Sequence, residues 1–86
     1  MHRYWFQFDV EFDGKAPPGV IIGCGITAYD YEDALKLLRE KVFLCEILPI
    51  RSYIEDVDIS TLDQGHVLPN MSAPIKRGVW FPLGYD

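Results

Sequence analysis

The stretch Arg3–Phe12, RYWFQFDVEF, decides the fold. Tyr4, Phe6, Phe8, Val10 and Phe12 alternate with Arg3, Trp5, Gln7, Asp9 and Glu11. Successive side chains of a strand point to opposite faces, so a period of two predicts a strand with one apolar face and one mixed face. Trp5 is the single large ring on the mixed face.

Reading outward, DGKAPPG (Asp13–Gly19) is dense in turn formers and predicts a loop. VIIGCGITA then reads as a second strand, with Val20, Ile22, Cys24, Ile26 and Ala28 on one face and Ile21, Gly23, Gly25 and Thr27 on the other. Glycine weakens a strand interior and marks a bulge or the close approach of something bulky. If the two strands form a hairpin, Trp5 lies across Gly23 or Gly25, an aromatic ring covering a glycine. The functional alternative is a ligand or partner backbone on that glycine strip. GCG has no third glycine, no strand-to-helix turn and no Walker lysine, so it is neither a dinucleotide fingerprint nor a P-loop.

AYDYEDALKLLREKVFLCE predicts the helix. Asp30 is a suitable N-cap, and Glu32 and Asp33 place negative charge where the helix dipole favours it. Ala34, Leu35, Leu38, Val42 and Cys45 recur at helical spacing as the buried stripe, which Leu37 and Leu44 widen. Pro49 ends the element at the latest. Ile50–Ile59 predicts a third strand of imperfect alternation, with Tyr53, Val57 and Ile59 beside Glu55 and with Ile54 opposite. STLDQGHVLPN reads as a turn-rich connection holding a short 3₁₀ turn. IKRGVWF reads as a last short strand with Val79 and Phe81 on one side, Trp80 on the other, and a bulge at Gly78. The order β-β-α-β, followed by an irregular arm over 66–86, predicts one small α+β domain: an antiparallel sheet of three to four strands with one helix on one face.

Composition bounds the function. A chain of 86 residues is one domain, and a domain of this size buries roughly 60–65% of its unfolded surface. With 49% hydrophobic residues the chain is too apolar for intrinsic disorder. The net charge of −5 repels phosphates, and Lys76-Arg77 is the one adjacent basic pair, so no nucleic acid is expected as a partner. No signal-peptide pattern and no bilayer-length apolar run occur, so the expected setting is cytoplasmic, with no membrane partner. Cys24 and Cys45 form no CxxC and read as buried apolar side chains.

Chemistry is sparse. A calcium loop starting at Asp56 fails at Thr61, where glycine is required, and at Val67, where glutamate is required. Asp56-Val57-Asp58-Ile59-Ser60 fits a DxDx[ST] pattern, but aspartyl-phosphate chemistry needs Mg²⁺, a lysine and a larger domain. Either cysteine would need a histidine in an electropositive setting to act as a nucleophile, and no serine motif is present. No cofactor is implied. The acidic run EDVDISTLD itself reads as a solvated strand edge and turn, whose charge protects against edge-to-edge pairing. As the alternative, Asp56, Asp58, Asp63 and His66 remain as an irregular set for a weak metal or ligand site in a cleft made by the arm.

The arm itself is apolar and aromatic: Pro69, Met71, Pro74, Ile75, Val79, Trp80, Phe81, Pro82, Leu83 and Tyr85. Something must cover it, either the domain's own core or another chain. Trp, Tyr and Arg are enriched at binding hot spots, and Arg77, Trp80 and Tyr85 supply one of each. In size and charge the chain resembles the short acidic α+β proteins that accompany bacterial systems as inhibitors, immunity factors or accessory subunits. The expected function is a non-catalytic protein-interaction module, accessory, inhibitor- or immunity-like, or a homo-oligomeric subunit. Its partner is another protein chain, a copy of itself or a different one, met through Trp5, Gly23, Gly25, Arg77, Trp80 and Tyr85. The alternative is a small ligand-binding, metal-binding or enzymatic domain that uses the acidic turn 55–66.

Overall fold

A computed structural model describes residues 1–9, 20, 22–44, 47 and 49–85. Four strands form one antiparallel sheet: β1 (His2–Phe8), β2 (Cys24–Ala28), β3 (Ile50–Glu55) and β4 (Gly78–Phe81), in the order β3-β1-β2-β4. The helix α1 (Tyr31–Leu37) continues into a π-helical stretch, Leu38–Phe43. The chain is therefore α+β, a four-stranded antiparallel sheet with one helical element, as the alternation of β1 implied. Val10, Glu11 and Phe12 of the expected first strand, the loop Asp13–Gly19, Ile21 and Cys45 lie outside the described residues.

Tyr4, Phe6 and Phe8 share one face of β1, all nearly inaccessible to solvent. They pack with Cys24, Ile26, Ala28 and Val79 of the sheet and with Ala34, Leu37, Leu38 and Val42 of the helix. This is the helix-side core. Asp30 caps α1 as expected, its carboxylate accepting from the Asp33 amide at 2.8 Å. The helix ends at Leu44, which adopts φ 65°, so the chain turns there, ahead of Pro49.

The other face of the sheet is also covered. Trp5, Trp80 and Phe81 form a second core with Val57 and Val67, flanked by Ile59, Leu62 and Met71. The covering layer is the connection from β3 to β4, which holds two 3₁₀ turns, Ile59–Thr61 and Leu68–Asn70. β4 corrects the expected side assignment. Its register to β2 shifts between Gly25 and Ile26, opposite Phe81 and Val79, which leaves Trp80 as an extra residue. A bulge of this kind lets two consecutive side chains share a face. Val79 joins the helix-side core, whereas Trp80 and Phe81 both join the second.

The expected strand limits also shift. β2 begins at Cys24: Val20 is buried, Ile22 is exposed and Gly23 has φ 149°. β3 stops at Glu55, because Asp56 takes φ 56° and leaves the extended conformation. Val57 then donates its amide to the Arg3 carbonyl at 3.1 Å and turns into the second core.

Candidate functional site

The glycine strip is filled by the chain's own indoles. A Cβ on Gly23 would stand 2.3 Å from the Trp5 ring, and one on Gly25 would stand 2.4 Å from the Trp80 ring. The two indoles stack with centroids 6.1 Å apart, and Phe81 lies 5.5 Å from Trp5. Trp5, Gly23, Gly25 and Trp80 are all buried. Trp80 Nε1 has no acceptor among the described residues.

The other two expected contact residues lie elsewhere. Arg77 reaches the N-terminus of α1 and grips Asp33 with two nitrogens, Nε to Oδ2 at 2.8 Å and a terminal nitrogen to Oδ1 at 2.5 Å. Its guanidinium carbon also stands 5.6 Å from the centre of the Tyr29 ring. Asp33 accepts the Tyr29 amide as well, at 3.0 Å. The Arg77 hydrogen bonds hold the Asp33 carboxyl down at about 2. This clamp ties the strand-four approach to the helix. Tyr85 is half-buried against the helix-side core. The six residues thus fall in three separate places.

The acidic turn divides in the same way. His2 Nδ1 lies 3.0 Å from both Asp56 oxygens. A carboxylate can only accept, so Nδ1 carries the proton. Asp58 accepts from the Ser60 amide at 3.0 Å and the Ser60 hydroxyl at 2.7 Å, closing the first 3₁₀ turn. Asp63 accepts from the Gly65 amide at 2.8 Å and from His66 Nδ1 at 2.9 Å. Asp63 and His66 are brought together, while Asp56 and Asp58 are each engaged separately. The His2, Ser60 and His66 hydrogen bonds push the carboxyls of Asp56, Asp58 and Asp63 downward, so all three stay ionised at neutral pH. Glu55 joins His2 and Asp56 in a group whose ligand-type atoms lie within 4.8 Å of one another. Cys24 is a buried free thiol whose pKa is pushed up by burial, which leaves it unreactive.

A cleft of about 280 Å³ opens between the arm and Ile22, which precedes β2, and is lined by Ile22, His66, Asn70, Phe81, Pro82 and Leu83. Of the four residues expected in a cleft, His66 alone lines it. Asn70 Nδ2 donates to the His66 carbonyl at 2.9 Å, fixing this corner.

From the sequence, the acidic run from Glu55 reads as a charge-protected strand edge; the structure has two sheet edges, and these differ sharply. At β4 the chain meets its own edge: Ser72 donates its amide to the Trp80 carbonyl at 2.8 Å. The same segment is held to β2 by the buried Thr27 hydroxyl, which donates to the Pro74 carbonyl. β3 pairs with β1 on one side, and no described residue pairs with its other side. All of Arg51–Glu55 is exposed, and Tyr53 and Ile54 are 48% and 52% accessible despite being large and apolar. Tyr53 rests on Tyr31 at 4.7 Å, so its ring is held in place beside the open edge. Adjacent apolar residues such as Tyr53-Ile54 do not mark an edge by themselves, since Tyr4-Trp5-Phe6 of the inner strand β1 are adjacent and buried. This chain matches no protein-family model, no curated protein and no solved structure.

Proposed function

We propose that this protein is a non-catalytic interaction module that binds another protein chain through the outer edge of β3. One observation carries the reading. Both faces of the sheet are covered by the chain itself and the β4 edge receives the Ser72 amide, whereas among the described residues nothing pairs with the outer side of β3, where Tyr53 and Ile54 are exposed. An uncovered edge is a template for an incoming strand, in which backbone hydrogen bonds supply affinity and alternate side chains supply specificity. The buried thiol of Cys24 is compatible with the cytoplasmic setting we propose for it.

The direction of the β3 backbone supplies the test. Arg3 C=O accepts from Val57, and Asp9 N–H donates to the Pro49 carbonyl, so the odd-numbered residues of β1 direct their backbone groups toward β3. Their partners Ile54 and Ser52 face back toward β1. Tyr53 and Glu55 therefore turn their N–H and C=O groups outward. Tyr53→Pro removes an outward donor and no donor of the β1 ladder. Wild-type and Tyr53→Pro baits, both shown folded by circular dichroism, are compared in pull-downs from source-cell lysate. The reading expects captured chains to be lost with Tyr53→Pro. Equal capture by both baits, or no specific capture by either, refutes it.

A second reading rests on the cleft beside His66. Its volume is at the small end of ligand pockets, and its lining is largely apolar with His66 and Asn70 as polar handles. It would take a small, mostly apolar molecule. A fragment screen read by NMR shifts of Ile22 and Leu83 methyl groups tests this, and an unresponsive cleft ends it.

A further inference from the structure

We infer that the strand taken up by β3 is β3 of a second copy of this chain, paired antiparallel about a twofold axis at Tyr53. This inference rests on the edge-binding reading and names its partner. The strand is self-complementary in that register. Centring the axis on Tyr53 sets Tyr53 against its own counterpart, Ser52 against Ile54, and Arg51 against Glu55. Tyr53 and Glu55 carry the outward backbone groups that an antiparallel partner needs. Opposite charges directly across a strand pair stabilise it, and like charges destabilise it. Twofold symmetry makes each Arg51–Glu55 pairing occur twice.

The two tyrosines would meet beside the aromatic group of Tyr4, Phe6, Tyr31 and Tyr53, already in contact at 4.7–6.4 Å. Moving the axis by one residue, onto Ile54, sets Tyr53 against Glu55 and Arg51 against Val57, which discards both complementarities. The register shift of β3 against β1 leaves Arg51 as an extra residue, so its long side chain rather than its backbone makes the end contact. A ladder this short buries less than a stable permanent dimer requires, so the association is weak and concentration-dependent.

Sedimentation of purified protein from about 20 µM to about 1 mM, the range in which small interfaces assemble, reads the equilibrium. The wild type should shift from monomer to dimer. Arg51→Glu and Glu55→Arg should each weaken dimerisation by about tenfold, since each converts two attractive pairs to repulsive ones. The double variant Arg51→Glu/Glu55→Arg should return to within about twofold of the wild type, which only a copy-to-copy pairing predicts. Both substituted positions are exposed, and because Glu55 also accepts from the Tyr4 hydroxyl at 3.3 Å, circular dichroism checks the folding of all three variants. A wild type that stays monomeric throughout, or a dimer indifferent to the single swaps, overturns the inference. If the monomer nevertheless captures a chain that Tyr53→Pro loses, the edge accepts a different partner and only the self-pairing falls. If that capture is also insensitive to Tyr53→Pro, the edge reading falls with it.

Discussion

Gly25→Ala tests the central packing claim, that the glycine strip exists to seat the chain's own indoles. A Cβ at position 25 would stand 2.4–2.5 Å from three atoms of the Trp80 ring. Carbon atoms pack at about 3.5–4.0 Å, so the ring must retreat by about 1 Å. It has little room to do so: Trp80 is 1% exposed and is stacked on Trp5 at 6.1 Å. The backbone at Gly25 is not in the left-handed region, so the effect is steric alone. Overpacking of this kind costs about 1–3 kcal/mol, and a rigid ring in a closed layer places this site near 3. A domain of this size has about 4–13 kcal/mol in total. The expected fall in Tm is roughly 12–20 °C, read by differential scanning calorimetry. In a Trp80→Leu background, the same Gly25→Ala change should cost little, because the clashing atoms are gone. A single variant melting within about 3 °C of the wild type, or an equal loss in both backgrounds, refutes the claim that Trp80 fills the strip.

Three further expectations follow from single contacts. Asp33 has its carboxyl pKa lowered to about 2 by Arg77, so its stabilisation is fully present above the unfolded value of 3.8 and is lost as pH falls toward 2. Acid unfolding of Asp33→Asn should therefore be less steep over that window, the remaining slope coming from Asp56, Asp58 and Asp63. Leu44 sits at φ 65° with 76% exposure, so Leu44→Gly relieves a left-handed backbone without emptying a core, and should raise stability by about 1 kcal/mol in urea titration. Gly65→Ala is the matched control for Gly25→Ala: its Cβ meets only Asp63 Oδ1 at 3.4 Å, and its unfolding free energy should stay within about 0.5 kcal/mol of the wild type.

The sequence by itself determined the α+β class, the first strand and the capped helix. Those features rest on local physics: the period of two in Tyr4, Phe6 and Phe8, and the Asp30 carboxylate three residues before the amide it binds. It also raised the idea of a tryptophan over a glycine, since glycine inside a strand marks a bulge or the close approach of something bulky. Tertiary structure decided the rest. That Trp5 covers Gly23 while Trp80 covers Gly25 depends on a register shift between β2 and β4, and register is a property of two strands together. The Arg77–Asp33 clamp joins residues 44 positions apart, beyond any local pattern. Which strand lies at an edge is likewise absent from a strand's own sequence. Exposure of Tyr53 and Ile54 follows from β3 having β1 on one side and no described strand on the other, and pairing order is set by the whole chain.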